Sequence, residues 1–599
     1  MTDATLARID RLYTLLPVVY RQRDSVQGFP LRDLLRIIAE QVNLIEDDIS
    51  QMYDDWFIET CRDWVVPYIA DLVGYQPVHL AGDPDESPGR ESRLRDRAIT
   101  PRADVAHFIR DLRRRGTLAL LEELASDSAG FPARAVEFFT LLGKTQSINH
   151  LDGRGRFTDL REGEALDLID SPFDQLAHTV DIRNVTATRN PGRYNVPNAG
   201  EFLWRLRSYG VTHAPAYYVQ RGFGYFFYTF SVLGNDAPLF ARARREPDPT
   251  MIAQEVNLPV PIRRRALELH PDDYYGPSFL IWLDGSDTPV DRSDIIAADL
   301  TGWTYRPPDG KVAVDPQLGR IALAKEAKAL DVTYCYGFSG DVGAHESPRS
   351  LVQPRDAVIY RVGPDEEFTT IAGALTAWRT EAPLHAVVEI ADSRTYTEAV
   401  DVELKEQVSL QIRAANRCRP ALHVLDYRTS TGESLHVAMH EGARFTLDGL
   451  IVAGRPVQVE GIGEQPAGIR VSIRRCTLVP GWNLDSVSEP KQDEASLELD
   501  NVRGRVSIES SILGGIAVMN DTTAAEPIEI ALNDSILDAT SNDLDAIAGP
   551  GGAYAWAALT IVRCTVFGQI LAHAIDLAEN SLFGATVTIV RRQRGCVRF

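Results

Sequence analysis

LDGLIVAG (447–454), IRRCTLVPG (473–481), IESSILGGI (508–516), LNDSILDAT (532–540), IVRCTVFGQ (561–569) and LAENSLFGA (577–585) are six versions of one phrase. The shared form is an apolar residue, two polar ones, a small Cys, Ser, Asp, Asn or Gly, then Ser, Thr or Leu, two apolar residues and often Gly. The copies recur irregularly, every 16 to 35 residues or about that, which suits coils with unequal loops better than rigid repeats. Such a pattern predicts a solenoid in which each coil gives two or three short strands and inward Ile, Leu and Val stack on their equivalents above and below. Small Ser, Thr and Cys fill the narrow corners. One coil alone leaves its apolar face bare, so the stack is the unit that folds. A parallel β-helix is therefore expected from about residue 360 onward. It opens on an amphipathic helix in FTTIAGALTAW (368–378) and closes on TVTIVRRQRGCVRF (586–599), an alternating strand without a polar cap. Another part of an assembly, or a continuation of the natural chain, is expected to cover that end.

Upstream the texture changes. SFLIWLDG (278–285), KVAVDPQLGRIALA (311–324) and LDVTYCYGF (330–338) are short alternating runs separated by turn signals, which predict a small β domain. Residues 339–354 are rich in Gly, Ser and Pro and read as a linker. Between 126 and 240 helices and strands mix into an α+β module; there Pro197 and Asn198 are expected to open a helix that buries Phe202, Leu203 and Leu206. The first 125 residues read as helical. Leu31, Leu34, Leu35, Ile38, Val42, Ile45, Ile49 and Met52 step by three and four, placing one apolar stripe on a rod of roughly 34 Å. Trp56 and Trp64 continue a helical pattern across Pro67 as packing anchors. Nine arginines face four acids between Ser87 and Gly116, with Arg113, Arg114 and Arg115 in a row. That segment reads as a solvated face or a docking surface for an acidic partner. The expected domains are thus 1–125, 126–240, 241–350 and 351–599, in keeping with 599 residues at roughly 150 per domain.

The composition, 44% hydrophobic and 24% charged, excludes a wholly disordered or collagenous chain. A net charge of −22 repels phosphate backbones, so nucleic acid is not an expected partner of the whole chain. Six scattered cysteines form no CxxC pair, and reduced, buried thiols are expected. The first 20 residues lack a secretory signal, and no run of about 18 apolar residues occurs. Synthesis and assembly are expected in the cytoplasm, with only indirect membrane contact and a particle that is either released or membrane-anchored.

Catalytic and metal constellations are weak. GKT at 143–145 has Phe138 where a phosphate loop requires glycine. No GxGxxG follows a strand, and no GxSxG occurs. His436 and His440 in LHVAMHE alternate as a strand would, which separates them by about 13 Å, too far for one metal. Asp284, Asp287 and Asp291 lack the spacing of a calcium loop. Asp426, Asp448, Asp500, Asp534 and Asp538 are the carboxylates available to a polysaccharide-cleaving β-helix, and they form no motif. Trp482, Tyr554 and Trp556 are the aromatics that a sugar-binding one would present. No catalytic residue, cofactor or metal ligand is assigned.

The stretches LYTLLPVVYRQRD (12–24), YDDWFIETCRDWVVPYIADLVGY (53–75) and RRRGTLALLEELASDSAGFPARAVEFF (113–139) resemble the N-terminal region of the phage tail protein I family. YNVPNAGEFLWRLRSYGVTHAPAYY (194–218), VLGNDAPLF (232–240) and KVAVDPQLGRIALA are similar to long forms in phage-tail-like contractile injection systems. The resemblance covers roughly residues 6 to 340. It implies a non-enzymatic baseplate wedge subunit that pairs with two baseplate J-like chains, in six wedges around the spike hub beneath the sheath, and helps to trigger contraction. Contacts to neighbouring wedges and to sheath-initiating proteins follow from that role. The stripe from Leu31 to Met52, with Trp56, Trp64 and Arg113 to Arg115, would then meet partners. Short phage versions lack a β-helix, so the family is silent on residues 360–599. The overall expectation is a multidomain α+β protein ending in a right-handed, pectin-lyase-like parallel β-helix. The alternative function is a tailspike-like polysaccharide-binding, or less readily polysaccharide-cleaving, protein.

Overall fold

A computed structural model describes residues 10–76, 100–143, 147–149, 159–183, 192–219, 226–248, 251–354, 356–424, 435–464, 466–479, 495–519, 526–593 and 595–598. Two compact units divide the chain: 1–161 with 168–203 and 246–253, and 162–167 with 204–245 and 254–599.

In the first unit, the helix Pro30–Asp54 follows the shorter helix Val18–Val26. Its first turn is capped from a distance: both carboxylate oxygens of buried Asp24 accept, from Leu31 N at 2.7 Å and Arg32 N at 3.1 Å. These are donors that a helix start otherwise leaves unpaired. Ion pairs Arg36–Asp10 (2.6 Å) and Arg11–Glu46 (2.8 Å) tie the preceding chain along the rod. The helical pattern does not run on through Trp56 as the sequence predicts. Asp55 accepts from Arg62 N and from its guanidinium, folding residues 55–62 into turns, and helix resumes at Val66–Val73 with Pro67 in its first turn. Cys61, Val66, Ala70 and Val105 form the small core beneath. Helices Arg102–Arg113 and Leu118–Ala129 follow, the second capped by Thr117.

The expected helix after Pro197 is a strand. Ala199–Leu203 pairs antiparallel with Ala133–Glu137, and Leu203 and Leu206 are exposed. The cause is tertiary: a Cβ at Gly200 would lie 2.7 Å from the Phe138 ring, so the pairing uses glycine to let the ring in. Buried Glu122 joins this sheet to its neighbours by accepting from Ala135 N (2.9 Å) and Ala253 N (3.0 Å).

The second unit begins with two small sheets. Leu330–Phe338 lies between Arg207–Pro215 and Leu280–Leu283, both antiparallel to it. A five-stranded sheet runs Tyr217–Val219, Phe226–Thr229, Arg320–Leu323, Val312–Asp315, Ile295–Ala297. All three alternating runs quoted above are strands, as expected. The pairing of residues 207–229 with 320–338 carries both sheets across the boundary predicted at 240.

From Val358 the chain winds as a parallel β-helix with three lateral sheets, all paired in parallel. Sheet one stacks, among others, Ser409–Ala414, Arg444–Asp448, Ile469–Arg474, Gly504–Glu509, Ile528–Asn533 and Ala555–Val562. Sheet two stacks Asp401–Leu404, Leu435–Met439, Val457–Gly461, Leu497–Asp500 and Ile516–Met519. Sheet three is a column of short strands from Thr395–Tyr396 to Leu582–Phe583. The first residue of the repeated phrase is an inward column, Leu447, Ile473, Ile508, Leu532 and Ile561, all 0% exposed. In the sixth copy the register slips by one, so Ala578 rather than Leu577 lies beside Ile561. Helix Ile371–Glu381 covers the first coil with Ile371, Ala374, Leu375 and Trp378.

The corner between sheets one and three explains the phrase. Gly449, Arg475, Ser510, Asp534, Arg563 and Asn580 all have φ between 48° and 81°. That left-handed residue turns the next one inward: Leu450, Cys476, Ser511, Ser535 and Cys564 are buried. Backbone N–H groups then donate from coil to coil into these side chains: Cys476 N to Ser511 Oγ (3.1 Å), Ser511 N to Ser535 Oγ (3.1 Å), Cys564 N to Ser581 Oγ (3.0 Å). The thiols accept in the same way, Cys476 from Leu450 N and Cys564 from Ser535 N. Burial pushes the Cys476 thiol up to about 12; Cys61, Cys335 and Cys564 are buried like it, as expected, and Cys418 is half-buried.

Residues 339–354 are not a slack linker. Gly343 N donates to Ser510 O (2.8 Å) and Ala344 N to Thr477 Oγ1 (3.0 Å), on the same corner. Gly343 has φ +87°, and a Cβ there would lie 2.8 Å from Thr477 Oγ1. Arg349 donates to the carbonyls of Ala415 and Cys418, and Glu346 accepts from Thr212 N, Thr212 Oγ1 and Ser393 Oγ. The segment is a strap that fastens the small sheets to the β-helix. Composition marked it as loop; it could not show that its backbone donors have partners on a distant corner.

Two outcomes follow. Ser535→Ala leaves the buried Ser511 N–H unpaired and lowers stability by about 1–3 kcal/mol, read by chemical denaturation. His345, stacked on Tyr209 at 4.4 Å, is pushed by burial from 6.5 to about 4. The unfolded chain therefore binds more protons between those values, so the strap is most stable above pH 6.5 and loosens as pH falls towards 4. Proteolytic nicking of 339–354 rises across that window, and His345→Gln flattens the dependence.

Candidate partner-binding helix

The helix Pro30–Asp54 is long and amphipathic, and of its residues only Ala39 is a buried one. At 100° per residue, Ala39, Arg32, Arg36 and Glu46 share a side, with Arg36 and Glu46 held by Asp10 and Arg11. The predicted stripe lies on the adjoining side. Leu31 and Leu35 are half-buried, while Leu34, Ile38, Val42, Ile45, Ile49 and Met52 are exposed, Ile49 by 61% and Met52 by 63%. Ile37 and Leu44, which the stripe omits, are also exposed and form a second seam roughly 110° away around the helix. The 3–4 spacing found the first seam; the second needed burial values, because two residues seven apart are too sparse a signal.

Acidic groups border the C-terminal half of this helix at Glu46, Asp47, Asp48 and Asp54, and no Lys or Arg lies between residues 37 and 61. Trp56 is 82% exposed. Trp64 is 55% exposed, edge-on to Tyr68 at 6.1 Å and covered on one face by Arg62 at 5.3 Å. Six of the stripe residues and both tryptophans are thus exposed. The arginine row divides: Arg114 pairs with Glu123 at 2.6 Å, and Arg113 and Arg115 are exposed. Arg102 points inward to the carbonyls of Ile58 and Cys61. The arginines from Arg90 to Arg97 lie outside the described residues.

The remaining candidates are structural. Asp448 accepts from Arg475 (3.1 and 2.6 Å) and Asp534 from Arg563 (2.5 and 2.7 Å), while Asp538 accepts from Thr540 N. Asp448 lies on one coil and Asp534 and Asp538 on another, each held by its own local hydrogen bonds. Asp500 lies on sheet two, where burial and the neighbouring Glu460 push its carboxyl up. His436 is on a strand, as predicted, with Nδ1 at 2.8 Å from Asp401 and Nε2 at 3.2 Å from Glu460; His440 meets Glu403 instead. Desolvation opposes its charge and the two carboxylates favour it, leaving the imidazole raised. Asp284 and Asp291 accept from backbone N–H groups of Lys328 and Ser293. Tyr554 is exposed, and Trp556 packs on His573 at 4.1 Å. Asp426, Trp482, Lys144 and Thr145 lie outside the described residues. Among the described residues no group of three or more His, Cys, Asp or Glu is placed to hold a metal, and no helix is long and apolar enough to cross a membrane.

No protein-family model and no curated protein matches this chain. Two solved structures do, both crystal structures of the pectin methylesterase from Aspergillus niger. The deglycosylated form is 13% identical over 42% of this chain and 86% of its own, with a TM-score of 0.24. The penultimately deglycosylated form has the same identity and coverage and a TM-score of 0.20. Scores that low carry no functional argument; the parallel β-helix rests on its own strand pairing.

Substitution on the bare seam leaves the chain itself intact. Ile45→Glu and Ile49→Glu each change its unfolding free energy by less than about 0.5 kcal/mol in denaturant titration, since neither side chain leaves a packed site.

Proposed function

We propose that this chain is a non-enzymatic structural wedge subunit of the baseplate of a phage-tail-like contractile injection system. The observation that carries the proposal is the open, two-seamed apolar surface of the helix Pro30–Asp54. A helix held on one side by its own chain and bare on two seams is suited to lie between two further helices, the arrangement that paired J-like subunits would supply. Burying one such Leu, Ile or Met is worth roughly 1.5–3 kcal/mol, so a handful of them holds a bundle firmly. The acidic border of the C-terminal half favours partner helices with basic flanks. Six such wedges surround the spike hub, and rotation at their interfaces passes the trigger to the sheath. The β-helix projects as a rigid accessory body at the baseplate, with no cofactor and no chemical step.

Cryo-electron microscopy of the native particle tests this. Six copies per baseplate are expected, each with residues 30–54 in a bundle with two helices of another subunit. Leu34→Glu, Ile45→Glu and Ile49→Glu combined are expected to reduce incorporation into particles at least tenfold while the purified chain melts as before. A chain missing from the baseplate, or present as a trimeric distal spike, overturns the assignment.

A further inference from the structure

The strand register of sheet one aligns outward side chains that the sequence scatters. Arg444 pairs with Arg470, and Arg470 with Arg505, so three arginines stand in one column on successive coils. Beside them Thr446, Ser472 and Ser507 form a second column, with Ser507 Oγ donating to Ser472 Oγ at 3.3 Å. All three arginines are exposed, and among the described residues none has an ion pair or a side-chain hydrogen bond. Neighbouring strands lie about 4.7–4.9 Å apart, and like charges set directly opposite each other on a sheet destabilise it. The first column of this face nevertheless holds three like charges at strand spacing in a chain of net charge −22.

In the third outward column Asp448, Arg474 and Glu509 alternate in sign, with Arg474 ion-paired to Glu509 at 3.8 Å, so the excess positive charge is confined to the first column. Glu529 follows Arg505 on the next coil and ends the basic column. The outer face of sheet two is of opposite sign, with Glu403, Glu460, Glu498 and Asp500. An anion is thus drawn to one face and repelled from another.

We propose that the outer face of sheet one binds a linear acidic polysaccharide along the helix axis, its carboxylate or sulfate groups on Arg444, Arg470 and Arg505 and its hydroxyls on Thr446, Ser472 and Ser507. Guanidinium groups take carboxylates and sulfates through paired N–H donors, and the hydroxyl column supplies the neutral donors and acceptors that sugar hydroxyls require. Single-stranded nucleic acid needs aromatic platforms for its bases, and no aromatic side chain faces outward on these three strands. This inference is independent of the wedge assignment and holds whether or not the chain lies in a baseplate.

The test titrates the full-length chain at low salt with polygalacturonate, heparin, neutral dextran and oligo-dT, against the combined variant Arg444→Gln, Arg470→Gln, Arg505→Gln. Expected is saturable binding of polygalacturonate or heparin, weakened at least tenfold in the variant and steeply by salt, with dextran inert. Binding of polygalacturonate shows that carboxylate suffices, and binding of heparin alone shows that sulfate is required, since heparin carries both groups. The variant melts at the same temperature or higher, because repulsion is relieved, so a folding defect does not imitate the result. Glu498→Gln with Asp500→Asn, on the opposite-signed face, leaves binding unreduced. Absence of binding to both acidic polymers, binding unchanged in the arginine variant, or tighter arginine-dependent binding of oligo-dT overturns the proposal.

Discussion

A left-handed residue at the same corner of successive coils, followed in most of them by a small buried side chain, governs the C-terminal half of this protein. At Arg475, Ser510, Asp534, Arg563 and Asn580 the conformation is one that a side chain disfavours by roughly 1–2 kcal/mol. What offsets it is the corner ladder, where each coil's N–H finds the hydroxyl or thiol of the next. A larger apolar residue in place of Ser511 or Ser535 would fill the space and leave that N–H unpaired in the interior. The small-residue position is therefore fixed by hydrogen bonding as much as by room. It also fixes the register, and so decides which side chains face outward together.

The same corner receives the strap. Ser510 O and Thr477 Oγ1 accept from Gly343 and Ala344, while Arg349 lies over Gly449, where only a glycine leaves space. Tyr209, Tyr336 and His345 close the other side, and Arg419 stacks on the Tyr336 ring. The small sheets and the β-helix are thereby joined through paired polar groups along the strap rather than by an unpaired linker.

The first unit is built on the opposite principle. Its core is small, and its longest helix keeps six of the eight stripe residues exposed. Pairs such as Arg36–Asp10 and the Asp24 cap secure one side and leave the other available. Its apolar surface is out of proportion to what the chain itself buries, which is the usual mark of a surface intended for another molecule. The contrast divides the chain into a part with a continuous stacked core and a part whose longest helix leaves most of its apolar stripe exposed.

By itself the sequence determined the elements whose signal is local. The period of three and four defined the helix from Leu31, alternation defined the strands around Ile281, Val312 and Leu330, and the repeated phrase defined a stacked β-helix with small residues at its corners. It did not determine what depends on contacts distant in the chain. Ala199–Leu203 became a strand because Phe138 and residues 133–137 were there to pair with it, and 339–354 became a strap because the corner offered acceptors. The arginine column is the clearest case: Arg444, Arg470 and Arg505 are 26 and 35 residues apart in sequence, and only the winding of successive coils brings them into one line. Local propensity is written in neighbouring residues, whereas register is set by which coil stacks on which, and that is a property of the folded chain.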